Sequence, residues 1–524
     1  MTEADRPMVT EDRPGLRLSA GQWLLVALFG LLVAVGCRDM HFNADTLHYV
    51  DVARTWIEDG TLATWHLNLT TERVPATEVL WPPMYSILLG GPLALGLSPE
   101  AATWLIAVLS QIALLWLLVA VSRRVEWGLL VGLLFVYMMF VHGIAFRAFS
   151  ETPFIALVFG ALVAMALALQ GGGPEGGRSR ALWLGLLAGV LAAAAALTRH
   201  IGVALIPTLG LLAVVGPLRH QVRAWRVRAT ALASMVVGSA LPLGLWFARH
   251  AMLGSSVFGP DRPPSEFTLY ELLMRLGHGV YMDASTPLLV LATAVLGYHL
   301  LDRDGGDGRR AFALSLAGAA LLYAVLHEAG TVASHAMYRM DNPPEGRQFF
   351  PGYVALLLIL AALLSLARPP ERVLRRRWPI LAVLVIPLAT GTLIAGSVSH
   401  DLTPVRSAVD EWVEANTAPD DLIIGWRAWP VRFHTGRPVL QSGMVSEPSV
   451  YDGPAVASFL QRFGSHFGGA WLLVPEASHD EGEVIADFRA AGLELERAAE
   501  LNVAGLRHYR GVETIAAYRL TGWR

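Results

Sequence analysis

Apolar runs about twenty residues long recur along this chain, and no other feature narrows its fold as much. They lie near 21–37, 100–121, 127–146, 151–170, 181–198, 201–218, 229–248, 286–301, 311–327, 349–367 and 378–398. A bilayer core about 30 Å thick takes roughly 20 apolar residues per helix. Composition agrees, with 54% hydrophobic residues and only 16% charged, where a soluble domain carries about 25% charge. The reading is a polytopic α-helical membrane protein of about eleven transmembrane helices. The piece from Met84 to Leu97 is shorter and rich in Gly and Pro, so it reads as a half-inserted or interfacial helix.

Arginine placement orients these helices. Ser122-Arg123-Arg124, Arg178–Arg180, Arg219–Arg228, Arg303–Arg310 and Arg368–Arg377 fall on every second connection, counted from a cytoplasmic N-terminus. The alternate connections are longer, more acidic and richer in His. Basic loops stay on the cytoplasmic side. The expected plan is a cytoplasmic segment 1–20, a transmembrane domain 21–398 whose first outer loop is 38–83, and a domain 399–524 outside the cytoplasm. The first apolar run is followed by Cys37-Arg38-Asp39 and no small-residue cleavage site, so it reads as a retained helix.

Every one of the 40 basic residues is Arg, so no basic site works as a deprotonated amine. Net charge is −3, which gives no global field for nucleic acid. Cys37 is the one cysteine, which excludes an intramolecular disulfide.

From about Ser399 the pattern changes to that of a compact α/β domain. Thr403-Pro404 is expected to open an amphipathic helix. Leu422-Ile423-Ile424 and Trp471-Leu472-Leu473-Val474 read as buried strands, with helices around 454–463 and 480–491. Ala504–Tyr509 and Thr514–Leu520 read as a hairpin.

The first outer loop carries the most chemistry. It runs Arg38-Asp39-Met40-His41-Phe42-Asn43-Ala44-Asp45, and from Leu47 it can form an amphipathic helix with Tyr49, Ala53 and Trp56 at helical spacing, ending at Gly60. Trp81-Pro82-Pro83-Met84-Tyr85 is a rigid turn into the short apolar helix. Such a loop is expected to lie along the membrane surface and hold an acid near the mouth of the bundle.

These residues, in this order, resemble the polytopic C-type glycosyltransferases (GT-C), in particular the protein mannosyltransferase and lipid A aminoarabinose transferase branch. Three later segments resemble the same family: Phe149-Ser150-Glu151-Thr152-Pro153-Phe154, Leu197-Thr198-Arg199-His200-Ile201-Gly202, and Arg347-Gln348-Phe349-Phe350-Pro351. The resemblance covers about residues 21–400, with an α/β tail as some members have. Trp81 stands where relatives often have Tyr, Lys or His, and Phe349 where they have Tyr.

The resemblance implies a polyprenyl-phosphate sugar donor and an acceptor hydroxyl on a lipid, protein or glycan outside the cytoplasm, with membrane lipids around the helices. A carboxylate then acts as general base, and the departing phosphate meets guanidinium groups. One displacement inverts the anomeric centre. Enough arginine neutralises the phosphate without a metal, so no cofactor is required, though a divalent ion is compatible. By family position Asp45 is the expected base, with Asp39 as rival. The alternatives are that Asp45 caps the helix from Leu47 and that Asp39 pairs with Arg38. Arg199 and Arg347 are expected to hold the phosphate, the alternative for each being snorkelling to lipid head groups; Arg147 is a weaker third, since it can instead pair with Glu151 one helical turn away. Glu151 is expected to orient an arginine or a sugar hydroxyl, and Tyr49, Trp81 and Tyr85 to line the substrate. His327-Glu328 with His335 matches no common zinc spacing. A transporter or flippase would show internal repeats and midplane charges, and no repeat is visible. A non-enzymatic envelope assembly protein needs no convergence of Asp45 with the outer arginines.

Overall fold

The structure is a computed structural model, and it describes residues 44–69, 71–77, 82–122, 150–169, 176–215, 222–253, 308–337, 406–425, 428–441, 449–475, 481–504 and 512–523, with isolated positions before 31 and between 268 and 274. The expected runs at 127–146, 286–301, 349–367 and 378–398, and most of 21–37, lie outside the described residues.

Among the described residues, the first part has eight α-helices: α1 (Ala44–Asp59), α2 (Met84–Ala94), α3 (Pro99–Ser122), α4 (Glu151–Leu169), α5 (Gly176–Thr198), α6 (Leu205–Val215), α7 (Val222–Leu253) and α8 (Gly308–Met337). Four of them, α3, α4, α5 and α7, are long and apolar enough to cross a membrane. On α7, Val237, Leu241 and Leu245 are each more than 60% exposed. A contiguous apolar face of that kind belongs against lipid. Within the apolar run at 201–218, a 3₁₀ turn, His200–Ala204, leads into α6; residues 216–218 lie outside the described residues. The run at 311–327 lies within the 30-residue α8.

Small residues let α5 and α7 touch backbone to backbone. A Cβ at Gly189 would lie 2.1 Å from the carbonyl oxygen of Met235, and one at Gly238 would lie 2.4 Å from that of Leu186. Between helices in lipid, close approach of this kind supplies the packing that the hydrophobic effect does not.

Beyond residue 406 come α9 (Ala408–Asn416), β2 (Leu422–Gly425), α10 (Trp429–Thr435), β3 (Val439–Leu440), α11 (Gly453–Phe463), β4 (Ala470–Pro475), α12 (Glu481–Ala490), β5 (Glu494–Asn502) and β6 (Thr514–Thr521). The sheet runs β1-β3-β2-β4-β6-β5. Its first strand, β1 (His66–Leu67), comes from the segment between α1 and α2 and pairs in parallel with β3. Leu422 and Ile424 pack with Phe459 and Phe488 on one face. Ile423 packs with Val409, Val413 and Val431 on the other. Burial on both faces is why this strand reads as an unbroken apolar run.

Three local expectations are corrected. The helix after residue 399 opens at Ser407, not at Thr403-Pro404, because Ser407 and Asp410 close a reciprocal capping box. That arrangement satisfies two backbone donors at once, whereas Arg406 and Ser407 are themselves non-helical. The first arm of the hairpin is β5, Glu494–Asn502, rather than 504–509. As an edge strand with Glu494, Glu496 and Glu500 in solvent, β5 lacks the apolar alternation that marks a half-buried strand. The sheet, finally, is not confined to residues after 399, since the segment between α1 and α2 supplies one edge.

Candidate functional site

Because α4 runs in the opposite direction to α5, the start of one and the end of the other meet. Glu151 opens α4, and Arg199 follows α5 directly. Arg199 Nη1 stands 2.6 Å from Glu151 Oε1; the Glu151 side chain is 4% exposed and that of Arg199 24%. Arg199 Nη1 also donates to Ser150 Oγ at 3.4 Å. The backbone explains the placement. Arg199 is extended, at φ −147° and ψ 132°, while its N–H still donates to Ala195 O at 2.9 Å. The chain then folds back, with the Gly202 N–H donating to Arg199 O at 2.8 Å. A Cβ at Gly202 would lie 2.5 Å from the carbonyl carbon of Ala195, so only glycine allows this return.

Helix α1 brings the remaining groups. It begins at Ala44, three residues before the expected start, so Asp45 lies in its first turn. The capping alternative for Asp45 thus does not describe this helix. Asp45 is half-buried, and its negative charge acts on both Tyr49 and Arg199. Tyr49, one turn further along the same face, donates its hydroxyl to Ser150 Oγ at 3.3 Å. Its ring meets Tyr85 edge to face, with centroids 5.0 Å apart. Burial pushes both phenols up, so each stays protonated and able to donate. Pro83 leads directly into α2 and Tyr85 is buried. The helix is enclosed by protein: every residue from Thr46 to Ala53 is buried, with α10 and the turn into β1 packed on the side of Asp51 and Arg54.

Asp45, Tyr49, Tyr85, Glu151 and Arg199 thus gather at one end of α4 and α5, together with Ser150, a motif residue with no expected role. Asp39, Trp81, Arg147 and Arg347 lie outside the described residues. Glu151 is paired with Arg199; the other pairing weighed for it, with Arg147, lies outside the described residues. Among the described residues no group of three or more His, Cys, Asp or Glu is placed to hold a metal ion.

No protein-family model and no curated protein sequence matches this chain. Solved structures do. ArnT from Cupriavidus metallidurans bound to undecaprenyl phosphate superposes with a TM-score of 0.57 at 14% identity, over 95% of this chain and 98% of that one. Its apo state gives 0.59, also at 14% identity and with the same coverage. The archaeal oligosaccharyltransferase AglB from Archaeoglobus fulgidus, in complex with an inhibitory peptide and a dolichol-phosphate, gives 0.51 at 13%, over 90% of this chain and 72% of that one. The chain shares the fold of these structures. It is a polytopic integral membrane protein. Within this fold the cluster of Asp45, Glu151 and Arg199 joins α1 to the ends of α4 and α5.

A second buried cluster went unread in the sequence. Asp51 Oδ1 accepts from Arg432 Nε at 2.5 Å. Its Oδ2 accepts from Thr64 Oγ1 at 2.5 Å and from the backbone N–H groups of Trp65 and His66 at 2.8 and 3.1 Å. Burial works against this carboxylate, but Arg432 and these donors hold it below its ordinary range. His48 and His66 lie beside it with ring centroids 6.4 Å apart. No residue spacing links position 51 with 432, so only the folded chain brings them together.

This cluster predicts a pH dependence. Burial, then the neighbouring His66, lowers His48 from 6.5 to about 4, with Asp51 opposing. Burial lowers His66 as well. As pH falls below 6.5, unfolded imidazoles take protons that the folded ones refuse, so stability is lost towards about pH 4. The thermal midpoint in detergent is expected to hold above pH 6.5 and fall through that interval. The double variant His48→Gln/His66→Gln should flatten the decline; an equally steep fall in it would refute the linkage.

Proposed function

We propose that this protein is a membrane glycosyltransferase that moves a sugar from a polyprenyl-phosphate-linked donor to an acceptor hydroxyl outside the cytoplasm. Asp45 takes the acceptor proton as the new C–O bond forms at the anomeric carbon. The bond from that carbon to the phosphate oxygen breaks on the opposite side, its electrons leave with the lipid phosphate, and the centre inverts. Positive charge develops on the sugar ring, and the leaving phosphate is met by Arg199, with Arg347 and Arg147 as further candidates. Glu151 fixes the Arg199 guanidinium, while Tyr49, Tyr85 and Trp81 face the substrate.

The observation that carries this reading is the meeting of Asp45, Tyr49, Glu151 and Arg199, from three separated stretches of chain, on a fold shared over 95% of its length with ArnT. A preformed guanidinium beside a carboxylate suits an anion leaving from an attacked carbon. Chain direction supports an outward location. Arg178, Arg180, Arg226 and Arg228 lie near the starts of α5 and α7, and the site lies at the other ends of these helices. Basic starts belong to the cytoplasmic side, which leaves the site and the C-terminal sheet outside it.

Membranes carrying the protein, given labelled polyprenyl-phosphate sugars of several kinds, test the reading. Label is expected to move from one donor to an acceptor, releasing the lipid phosphate. Donors that all remain intact would overturn it.

A further inference from the structure

The C-terminal sheet grips α1 at a single carboxylate. Asp51 ties together three elements: α1, on which it stands; the turn into β1, through Thr64, Trp65 and His66; and α10, through Arg432. Arg432 Nη1 also donates to the carbonyl of Gly436 at the end of α10. In return, Arg54 of α1 donates to the carbonyl oxygens of Arg432 and Phe433 at 3.2 and 3.0 Å. Phe433 packs into the same apolar cluster as Tyr49 and Tyr85. Below the loop, Arg249 of α7 donates to the carbonyls of Leu62 and Thr77 at 2.6 and 3.2 Å.

Helix α1 is therefore held from the sheet side by Asp51 and Arg54, and its other face presents Asp45 and Tyr49 to the site. Asp51 is six residues from Asp45, about 9 Å along the axis, with no glycine or proline between them to absorb a rotation. A turn or slide of the helix at Asp51 passes undiminished to Asp45. We infer that Asp51 and Arg432 are positioning residues for the transfer step: the buried pair fixes the register of α1 and so the aim of Asp45 and Tyr49. On this view the C-terminal sheet serves the chemistry by holding the helix, and acceptor choice lies elsewhere. The inference rests on the glycosyltransferase reading.

The test compares Arg432→Gln, Arg432→Lys and the wild type in two assays: steady-state transfer, and hydrogen exchange of residues 44–59. Arg432→Gln is expected to lower kcat about 100-fold, the effect of misplacing a reacting group by about 1 Å. The donor KM should change less than about threefold, since the phosphate site is not touched. Arg432→Lys keeps the charge opposite Asp51 and should recover part of kcat. Exchange in 44–59 should quicken in Arg432→Gln while α11 and α12 stay protected. A merely structural role predicts less folded protein at unchanged kcat per folded molecule, and that result would overturn the inference. Unchanged exchange in 44–59 would overturn it too. If Arg432→Gln does not fold, Arg54→Gln loses only the two bonds to α10 and should show the same split to a smaller degree; an undiminished kcat there counts equally against it. A wild type inert with every donor defeats the glycosyltransferase reading alone, and the exchange arm still decides whether Arg432 fixes α1.

Discussion

Replacing Asp45 by asparagine is expected to abolish transfer, lowering kcat about 10²- to 10⁴-fold, as loss of a general base does. Asparagine keeps the size and the helix position but cannot accept the proton, so donor binding should survive. Asp45 lies on α1 in a part-buried place where its charge is felt by Arg199 and Tyr49; the substitution changes charge, not packing. Labelled-donor turnover, with donor KM measured in parallel, checks this. Full activity in Asp45→Asn together with none in Asp39→Asn would move the base to Asp39. Arg199→Gln belongs in the same series, with an expected loss of about 10²- to 10³-fold. Part of that loss would come from Glu151, left buried without its counter-charge, so Glu151→Gln/Arg199→Gln separates the two contributions.

The largest effect on folding is expected at Gly189. Any Cβ there would lie 2.1 Å from the Met235 carbonyl oxygen, against rigid helix backbone that no rotamer change can move aside. Gly189→Val should force α5 and α7 apart and cost about 3 kcal/mol or more. Thermal unfolding in detergent, together with the yield of monodisperse protein, reads the outcome. Gly210→Ala in α6 is the control, since a Cβ there meets nothing within 4 Å; its stability should be unchanged or slightly raised. A Gly189→Val protein with wild-type melting would mean that the two helices do not depend on this contact.

The two experiments address different links. The Asp45 series asks whether the cluster does chemistry; the Gly189 series asks whether the bundle holds it in place. Arg199 depends on both, because it ends α5, and α5 is fixed against α7 by the same glycines.

Much of the architecture was legible in the chain, for identifiable reasons. Apolar runs near bilayer length marked the helices now seen at 99–122, 151–169, 176–198 and 222–253. The strands at 422–425 and 470–475 were legible because burial on both faces left no polar position within them. Reading broke down where the signal was not local. The turn at Arg199–Gly202 went unseen because hydropathy does not register it. Strand β5 was missed because an edge strand keeps its charges. Strand β1 is two residues long and owes its existence to β3, which lies more than 370 residues away.

The same division holds for the site. Asp45, Tyr49, Tyr85, Glu151 and Arg199 were visible as motif residues, each at a helix end or on a helical face. Their mutual distances were not visible, since distances depend on how the helices pack. Ser150 lay inside a motif without a role, and Asp51 and Arg432 carried no signal at all: a buried ion pair across 381 positions leaves no trace in spacing or composition. By itself, the order of residues determined the solvent this protein folds in, where four of its long apolar helices lie, and the residue types of its site, because hydropathy, length and charge act locally. Only the tertiary structure decided that the C-terminal sheet takes a strand from the first loop and clamps α1, because hydrogen bonds and ion pairs between distant segments exist only once the chain has closed upon itself.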